Sequence, residues 1–230
     1  MKHAVITGGN KGIGLEVCRL FVAADYRVSV IARDFTGFEF RQHENVNCIV
    51  YDLSNVAGLG ALCDSFDDVG VLINNAGILQ TLTYDEYSDE ARDYSLNLNL
   101  VSPIALTQLL ADKLKASHGR VVNNASIAGQ IGHPDIWYAA AKAGLINATK
   151  SFSKAFDGAV IVNAVAPSPT ETEMLNNIPE HRQRSFLNNT ISGRFATAKE
   201  VAETIFWLAT ASPDYINGSC LDINNGSFPR

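Results

Sequence analysis

What most narrows the folds open to this chain is a repeated alternation of short, unbroken apolar runs with stretches of helical spacing. The runs fall at residues 4–6, 27–32, 46–51, 69–73, 119–124 and 159–165, with a shorter one at 219–222. Ile13, Val17, Leu20, Phe21 and Ala24 recur at helical intervals after the first run, and longer helical stretches cover 88–116, a segment ending near 156, and 198–209. An apolar run without polar alternation is buried on both faces. Two buried faces imply a parallel sheet with helices packed on each side. The expected fold is α/β, a doubly wound parallel sheet of about seven strands in a single domain spanning 1–230. In this class ligands bind at the carboxyl ends of the strands. One interval breaks the rhythm. Between Arg33 and Val46 the chain is short and holds Gly37 and three phenylalanines. The crossover helix there is expected to be truncated or absent, leaving that side of the site more open.

Composition closes off several alternatives. The 230 residues are 47% hydrophobic and 18% charged, enough for one sizeable core. A net charge of −6 disfavours a nucleic-acid partner, which calls for a basic patch or stripe. Cys18, Cys48, Cys63 and Cys220 lie far apart with no Cys-x-x-Cys spacing, so they read as free thiols of a reducing compartment. The five histidines show no metal-ligand spacing, and no metal is expected. His133 alone falls near the presumed rim of the site. No apolar run reaches the ~18 residues of a membrane span, and none resembles a signal peptide. The expectation is a soluble, cytoplasmic protein.

The chemistry concentrates at strand ends. Gly8, Gly12 and Gly14 follow the first strand and open a helix. Glycines there let backbone approach a pyrophosphate, whose charge the helix N-terminus attracts; the bland alternative is a tight turn. Lys11 lies in that loop and Arg33 at the end of the second strand, where an arginine accommodates a 2′-phosphate. Two cations there favour NADP(H), NADPH above NADH, although Asp34 would favour a free ribose if the strand ended one residue later. Asp52 ends the third strand and can accept from an adenine amino group, or cap a helix with Ser54. Asn74-Asn75-Ala76-Gly77 ends the fourth, where small residues let a ribose pack on backbone.

Tyr138 and Lys142 are four apart on a helical stretch, hence on one face. An ammonium beside a phenol favours the phenolate, lowering an acid of pKa ~10 toward a value useful for proton transfer. Ser126, 12 residues upstream at the end of the fifth strand, can hold a substrate oxygen. Alone, each of the three has an ordinary surface or capping explanation. Their joint spacing does not.

In this order the residues resemble the short-chain dehydrogenases/reductases over essentially the whole length. Thr7-Gly8 with Gly12 and Gly14 is similar to the family's T-G-x-x-x-G-x-G. Asp52, Asn74 to Gly77, Ser126, Tyr138-x-x-x-Lys142 and Asn163-Ala-Val-Ala-Pro167 follow in family order. The resemblance implies a Rossmann-type fold. It also implies a hydride transfer between NADP(H) and a small-molecule carbonyl or alcohol. Ser126 would orient the substrate oxygen and Tyr138 exchange its proton. Lys142 would bind the nicotinamide ribose, and Asn99 in Asn99-Leu-Val-Ser-Pro would hold a relay water. Asn10, Ile13, Leu53, Asn75, Ala76, Pro167, Thr170 and Thr172 would complete the cofactor site. Two departures stand out: Ser168 replaces the family's usual glycine, and the Ser-to-Tyr gap is one residue short.

A polar segment at about 168–194 is expected to form a substrate lid. A narrower reading, 3-oxoacyl-carrier-protein reductase, would need cations near the entrance, and Arg182, Arg184 and Arg194 fall there. A reading of another class, a non-catalytic dinucleotide sensor, has no need of the complete Ser-Tyr-Lys set. The helices at 88–116 and 136–156 carry more apolar residues than one buried stripe requires, so a homo-tetramer or homo-dimer is expected.

Overall fold

The structure, a computed structural model, describes residues 2–228. Its strands are β1 (His3–Thr7), β2 (Arg27–Ala32), β3 (Val46–Val50), β4 (Val71–Asn74), β5 (Arg120–Asn124), β6 (Ile161–Pro167), β7 (Thr170–Glu171), β8 (Ala196–Thr197) and β9 (Cys220–Ile223). Seven form one parallel sheet in the order β3-β2-β1-β4-β5-β6-β9, with β7 and β8 paired separately. Every residue of β1 is buried because strands flank it on both edges, Ile6 pairing with Val30 of β2 and Ile73 of β4. The strand order reverses between β1 and β4. Their carboxyl ends diverge there into the crevice where such sheets bind ligands.

Side chains alternate across the sheet, so two cores form, one on each face. The helices are α1 (Gly12–Ala23), α2 (Leu59–Asp64), α3 (Asp89–Leu96), α4 (Ser102–Leu109), α5 (Ala111–Ala116), α6 (Ala128–Ile131), α7 (Ile136–Ala155), α8 (Glu180–Asn189) and α9 (Ala198–Thr210). On one face Ile6, Val30 and Ile73 meet Val17 and Phe21 of α1 and Ile205 and Leu208 of α9. On the other, Val5, Leu72 and Val121 meet Leu59, Leu106 and Leu114. Phe21 is fully buried between the edges of Tyr26 and Phe206, at 4.9 and 5.0 Å. Burying one such side chain contributes about 1.5–3 kcal/mol.

The link from β2 to β3 has no helix, as its length and composition imply. Phe35 and Phe38 instead drop into the first core, with Phe40 against Phe38 at 5.8 Å. The stretch read as one helix over 88–116 is broken. A π turn, Asn97–Val101, separates α3 from α4, and the chain bends again at Leu110 before α5. Strand β4 begins at Val71, two residues later than the apolar run, Val69 being core-packed before pairing starts. The polar 168–194 segment, expected as a lid, holds a 3₁₀ turn (Glu173–Asn177) and the helix α8. Leu98, Leu106 and Leu110 are buried, but Val101, Leu109 (48% exposed) and Ile136 (49%) remain outside. No disulfide joins any of the four cysteines. Among the described residues no helix is long and apolar enough to cross a membrane, and no cluster of possible metal ligands occurs.

Candidate active site

The crevice is a cavity of about 900 Å³. Of the site residues read from the sequence, all but Gly14 and Asn99 line it. Gly14 shapes it from behind. A Cβ there would sit 2.1 Å from the Gly8 carbonyl oxygen, so only glycine lets the loop fold back onto α1. Gly8 itself has φ +63° and passes within van der Waals range of the Ala76 backbone.

The loop is tied to β4 by side chains. Thr7 Oγ1 accepts the Asn75 and Ala76 backbone N–H groups at 2.9 and 3.0 Å. Asn75 Nδ2 donates to the Thr7 and Gly8 carbonyls at 3.0 and 3.2 Å, and Asn75 Oδ1 accepts from Asn124 Nδ2 at 2.9 Å. Lys142 Nζ in turn donates to the Asn124 carbonyl at 2.8 Å. Asn124 thus joins the glycine loop to the lysine, a role that sequence reasoning missed. Its position at the end of β5, directly before the Ala125-Ser126 pair, was the available signal. Its buried Oδ1 has no hydrogen-bond partner among the described residues, although the residue lines the cavity.

Helix α7 sets the Tyr138–Lys142 pair. Asp135 caps it by accepting the Tyr138 N–H at 3.0 Å, which fixes Tyr138 in the first turn and Lys142 one turn later. The rest of the Asp135 carboxylate accepts from the Tyr87 hydroxyl and the Thr81 N–H, at 2.5 and 3.1 Å. Burial, not a ligand role, made this aspartate invisible beforehand; only its place three residues before Tyr138 hinted at a cap. Lys142 Nζ lies 5.7 Å from the Tyr138 ring centroid, and both side chains are buried. Ser126 Oγ accepts from the Ala128 N–H at 3.1 Å, and its hydroxyl stands near enough to the phenol to favour the phenolate.

The electrostatics differ from the expectation in one respect. Burial pushes the Tyr138 phenol up from its ordinary value; the Ser126 hydrogen bond pulls it back in part, and the Asp135 charge adds to the rise. Desolvation is the largest effect on the phenol, so its pKa stays above the ordinary value even with Lys142 one helical turn away. Burial acts on Lys142 instead, lowering its pKa from 10.5 to about 8.

At the other end of the cavity Arg33 donates to the Tyr94 hydroxyl at 2.8 Å, and no carboxylate among the described residues pairs with it. Lys11 is held by Glu173 at 2.7 Å, an exposed pair between the loop and the 3₁₀ turn. Asp34 spends its carboxylate on the Thr36 N–H and hydroxyl, at 3.1 and 2.9 Å. Asp52 likewise accepts from the Ser54 N–H and hydroxyl, at 2.9 and 2.8 Å. Pro167, Thr170 and Thr172 form the wall where β6 runs out, with Thr172 Cγ2 3.3 Å from where a Cβ on Gly12 would stand. Ser168, in place of glycine, is buried and hydrogen-bonded through its N–H to the Ile223 carbonyl at 2.9 Å.

Asn99 does not reach the cavity. Its carboxamide clamps the Ile78 backbone, accepting its N–H and donating to its carbonyl, both at 3.0 Å, and donates to the Ser95 carbonyl at 3.0 Å. Gly77 leaves the room for this: a Cβ there would stand 2.8 Å from Asn99 Oδ1 and 3.4 Å from Lys142 Nζ. The donor set fits a dinucleotide. The glycine cradle would be blocked by side chains, Asn124, with its Oδ1 unpartnered among the described residues, lines the cavity, and cations line it too.

Residues 2–183 match the profile of the short chain dehydrogenase family. The chain is 31% identical to the 3-oxoacyl-[acyl-carrier-protein] reductase of Thermotoga maritima, over 98% of this chain and 97% of that one. It is 32% identical to an acetoacetyl-CoA reductase of an Acinetobacter species, over 99% and 98%. The similarity to the 3-oxoacyl-[acyl-carrier-protein] reductase of Vibrio cholerae is 30%, over 99% and 97%. The chain belongs to the short-chain dehydrogenase family and is an NAD(P)-dependent oxidoreductase acting on carbonyl and alcohol groups.

Proposed function

We propose that the enzyme uses NADPH to reduce a small ketone, with Tyr138 as the proton donor. The observation that carries this reading is the meeting of Ser126, Tyr138 and Lys142 on one wall of the cavity whose far wall is the glycine loop. When bound, the dinucleotide supplies the hydride. Gly8, Asn10, Gly12, Ile13, Asn75, Ala76 and Gly77 would hold its phosphate and ribose portions, Asp52 and Leu53 its adenine, and Pro167, Thr170 and Thr172 its nicotinamide. Ser126 orients the ketone oxygen through its hydroxyl. Tyr138, kept protonated at neutral pH by burial, gives its phenolic proton to that oxygen as the alcohol forms. Lys142, titrating near 8, is charged at pH 7. It stabilises the phenolate left behind and can pass on the replacing proton.

NADPH preference is supported by Arg33, which lines the cavity and among the described residues donates to the Tyr94 hydroxyl rather than to an acid, and by Lys11. A charge-assisted contact contributes about 1.5–3 kcal/mol, tenfold or more in affinity. The decisive experiment follows absorbance loss at the nicotinamide band with a panel of ketones, NADPH and NADH in parallel. NADPH should win by at least tenfold, and Lys11→Ala with Arg33→Ala should erase the margin. Equal use of both cofactors by the wild type would overturn it. The relatives' names raise 3-oxoacyl thioesters as substrates. The cations once suited to an acidic carrier support this little, since Arg184 and Arg194 are neutralised by Glu180 and Glu200 at 2.5 and 2.6 Å.

A further inference from the structure

The substrate end of the cavity is walled by Leu79, Ile131, Met174, Leu175, Ile178 and Phe186, and into this apolar surround one cation projects. Arg182, on the first turn of α8, is half-buried. Among the described residues no carboxylate forms an ion pair with it. Six other arginines, Arg19, Arg27, Arg92, Arg120, Arg184 and Arg194, pair with acids, whereas Arg182 shares its lack of an acid with Arg33 at the cofactor end. The nearest acid, Asp135, has both oxygens occupied by Tyr87, Thr81 and Tyr138.

What Arg182 does touch is His133, its Nη2 lying 2.7 Å from the imidazole Nε2. The other ring nitrogen, Nδ1, accepts the Asp135 N–H at 3.1 Å. A neutral imidazole has one acceptor nitrogen, not two. With the proton on Nε2, that N–H faces the guanidinium N–H. With the proton on Nδ1, it faces the Asp135 N–H. A group accepting from both Nε2–H and the guanidinium would satisfy every donor. The His133 ring sits edge-on to Tyr138, centroids 5.8 Å apart, so this point lies beside the proton donor.

Building on the ketone reduction above, we propose that the substrate is an oxo acid whose carboxylate is held by Arg182 and His133 while its ketone meets Ser126 and Tyr138. An anion held beside Tyr138 in this way belongs to the ketone-bearing part of the substrate, which separates this substrate class from a neutral thioester. Arg182 and His133 are specificity-determining residues, and α8 carries one of them.

The test measures binding and turnover side by side. Calorimetric titration of 3-hydroxybutanoate and its methyl ester into the NADP⁺-loaded enzyme should show the acid binding about tenfold to a hundredfold more tightly. In turnover with NADPH, 3-oxobutanoate should exceed both methyl 3-oxobutanoate and the neutral N-acetylcysteamine thioester in kcat/KM. Arg182→Gln should cut the acid-to-ester ratio at least tenfold, with Arg182→Lys restoring part of it. Arg184→Gln, on the same helix, should keep the wild-type ratio and so controls for damage to α8. An enzyme that binds the ester or the thioester as well as the acid, or a ratio unmoved by Arg182→Gln, overturns the proposal. Reduction of neutral ketones with no preference for the acid would refute it while leaving the ketone reduction standing. Selective binding of the acid without any turnover would do the reverse.

Discussion

Replacing Lys142 with Met should stabilise the ligand-free protein at neutral pH while destroying its activity. Burial lowers the lysine pKa from 10.5 to about 8. Below about 8 the folded chain must carry a buried ammonium, whereas the unfolded chain carries the same charge in water. The drop corresponds to about 3 kcal/mol, at 1.36 kcal/mol per tenfold change in proton affinity. Between 8 and 10.5 the unfolded chain binds more protons than the folded one, so wild-type stability rises with pH across that window. The penalty is full below 8 and gone above 10.5. Against this, methionine cannot donate to the Asn124 carbonyl, a loss of about 1 kcal/mol. A net gain of about 2 kcal/mol remains at pH 7, a rise in Tm of about 4–8 °C for a chain of this size. Scanning calorimetry of both proteins at several pH values between 7 and 10.5 measures it. A variant no more stable than wild type at pH 7, or a gain that stays constant to pH 10.5, would refute the reasoning.

Other outcomes follow from the same geometry. Tyr138→Phe should abolish turnover, and NADPH binding followed by fluorescence should stay near normal, because the ring still packs and only the hydroxyl is lost. Thr7→Val should strip the acceptor from the Asn75 and Ala76 N–H groups and lower stability by about 2 kcal/mol or more, read by urea denaturation. Reductive kcat/KM should fall as pH rises through about 8, where Lys142 loses its proton, and a profile flat to pH 9 would remove the lysine from the proton path. Light scattering at micromolar protein should show a dimer or tetramer covering Val101, Leu109 and Ile136; a mass of 24.9 kDa would mean these stay exposed.

The sheet was legible because unbroken apolar runs have few other uses in a chain of this composition. The cavity walls were legible because glycine, serine, tyrosine and lysine stand at fixed offsets from strand ends. The break inside 88–116 was not read, since a π turn inserts one residue without removing an apolar one. In hindsight the alternation of Leu96, Leu98 and Leu100 with asparagines was its trace. Spacing told that Tyr138 and Lys142 are neighbours but not how deeply both are buried, and burial decides the direction of their pKa values. Pairings such as Lys11 with Glu173 and Arg182 with His133 join residues 162 and 49 positions apart, which no local pattern encodes.

The phenylalanine-filled link between β2 and β3 bears on how the chain folds as well as on how it looks. Parallel strands are usually brought together only after a whole helix has formed between them. Here residues 33–45 close the gap, and closing a short loop takes far less entropy than waiting for distant partners. The aromatic side chains that seal the first core at this corner come from the same short loop. The β2–β3 amides should therefore gain hydrogen-exchange protection before those of β6 and β9, whose partners wait on α9. The corner of the sheet farthest from the chemistry would then be the seed from which the cofactor crevice is built.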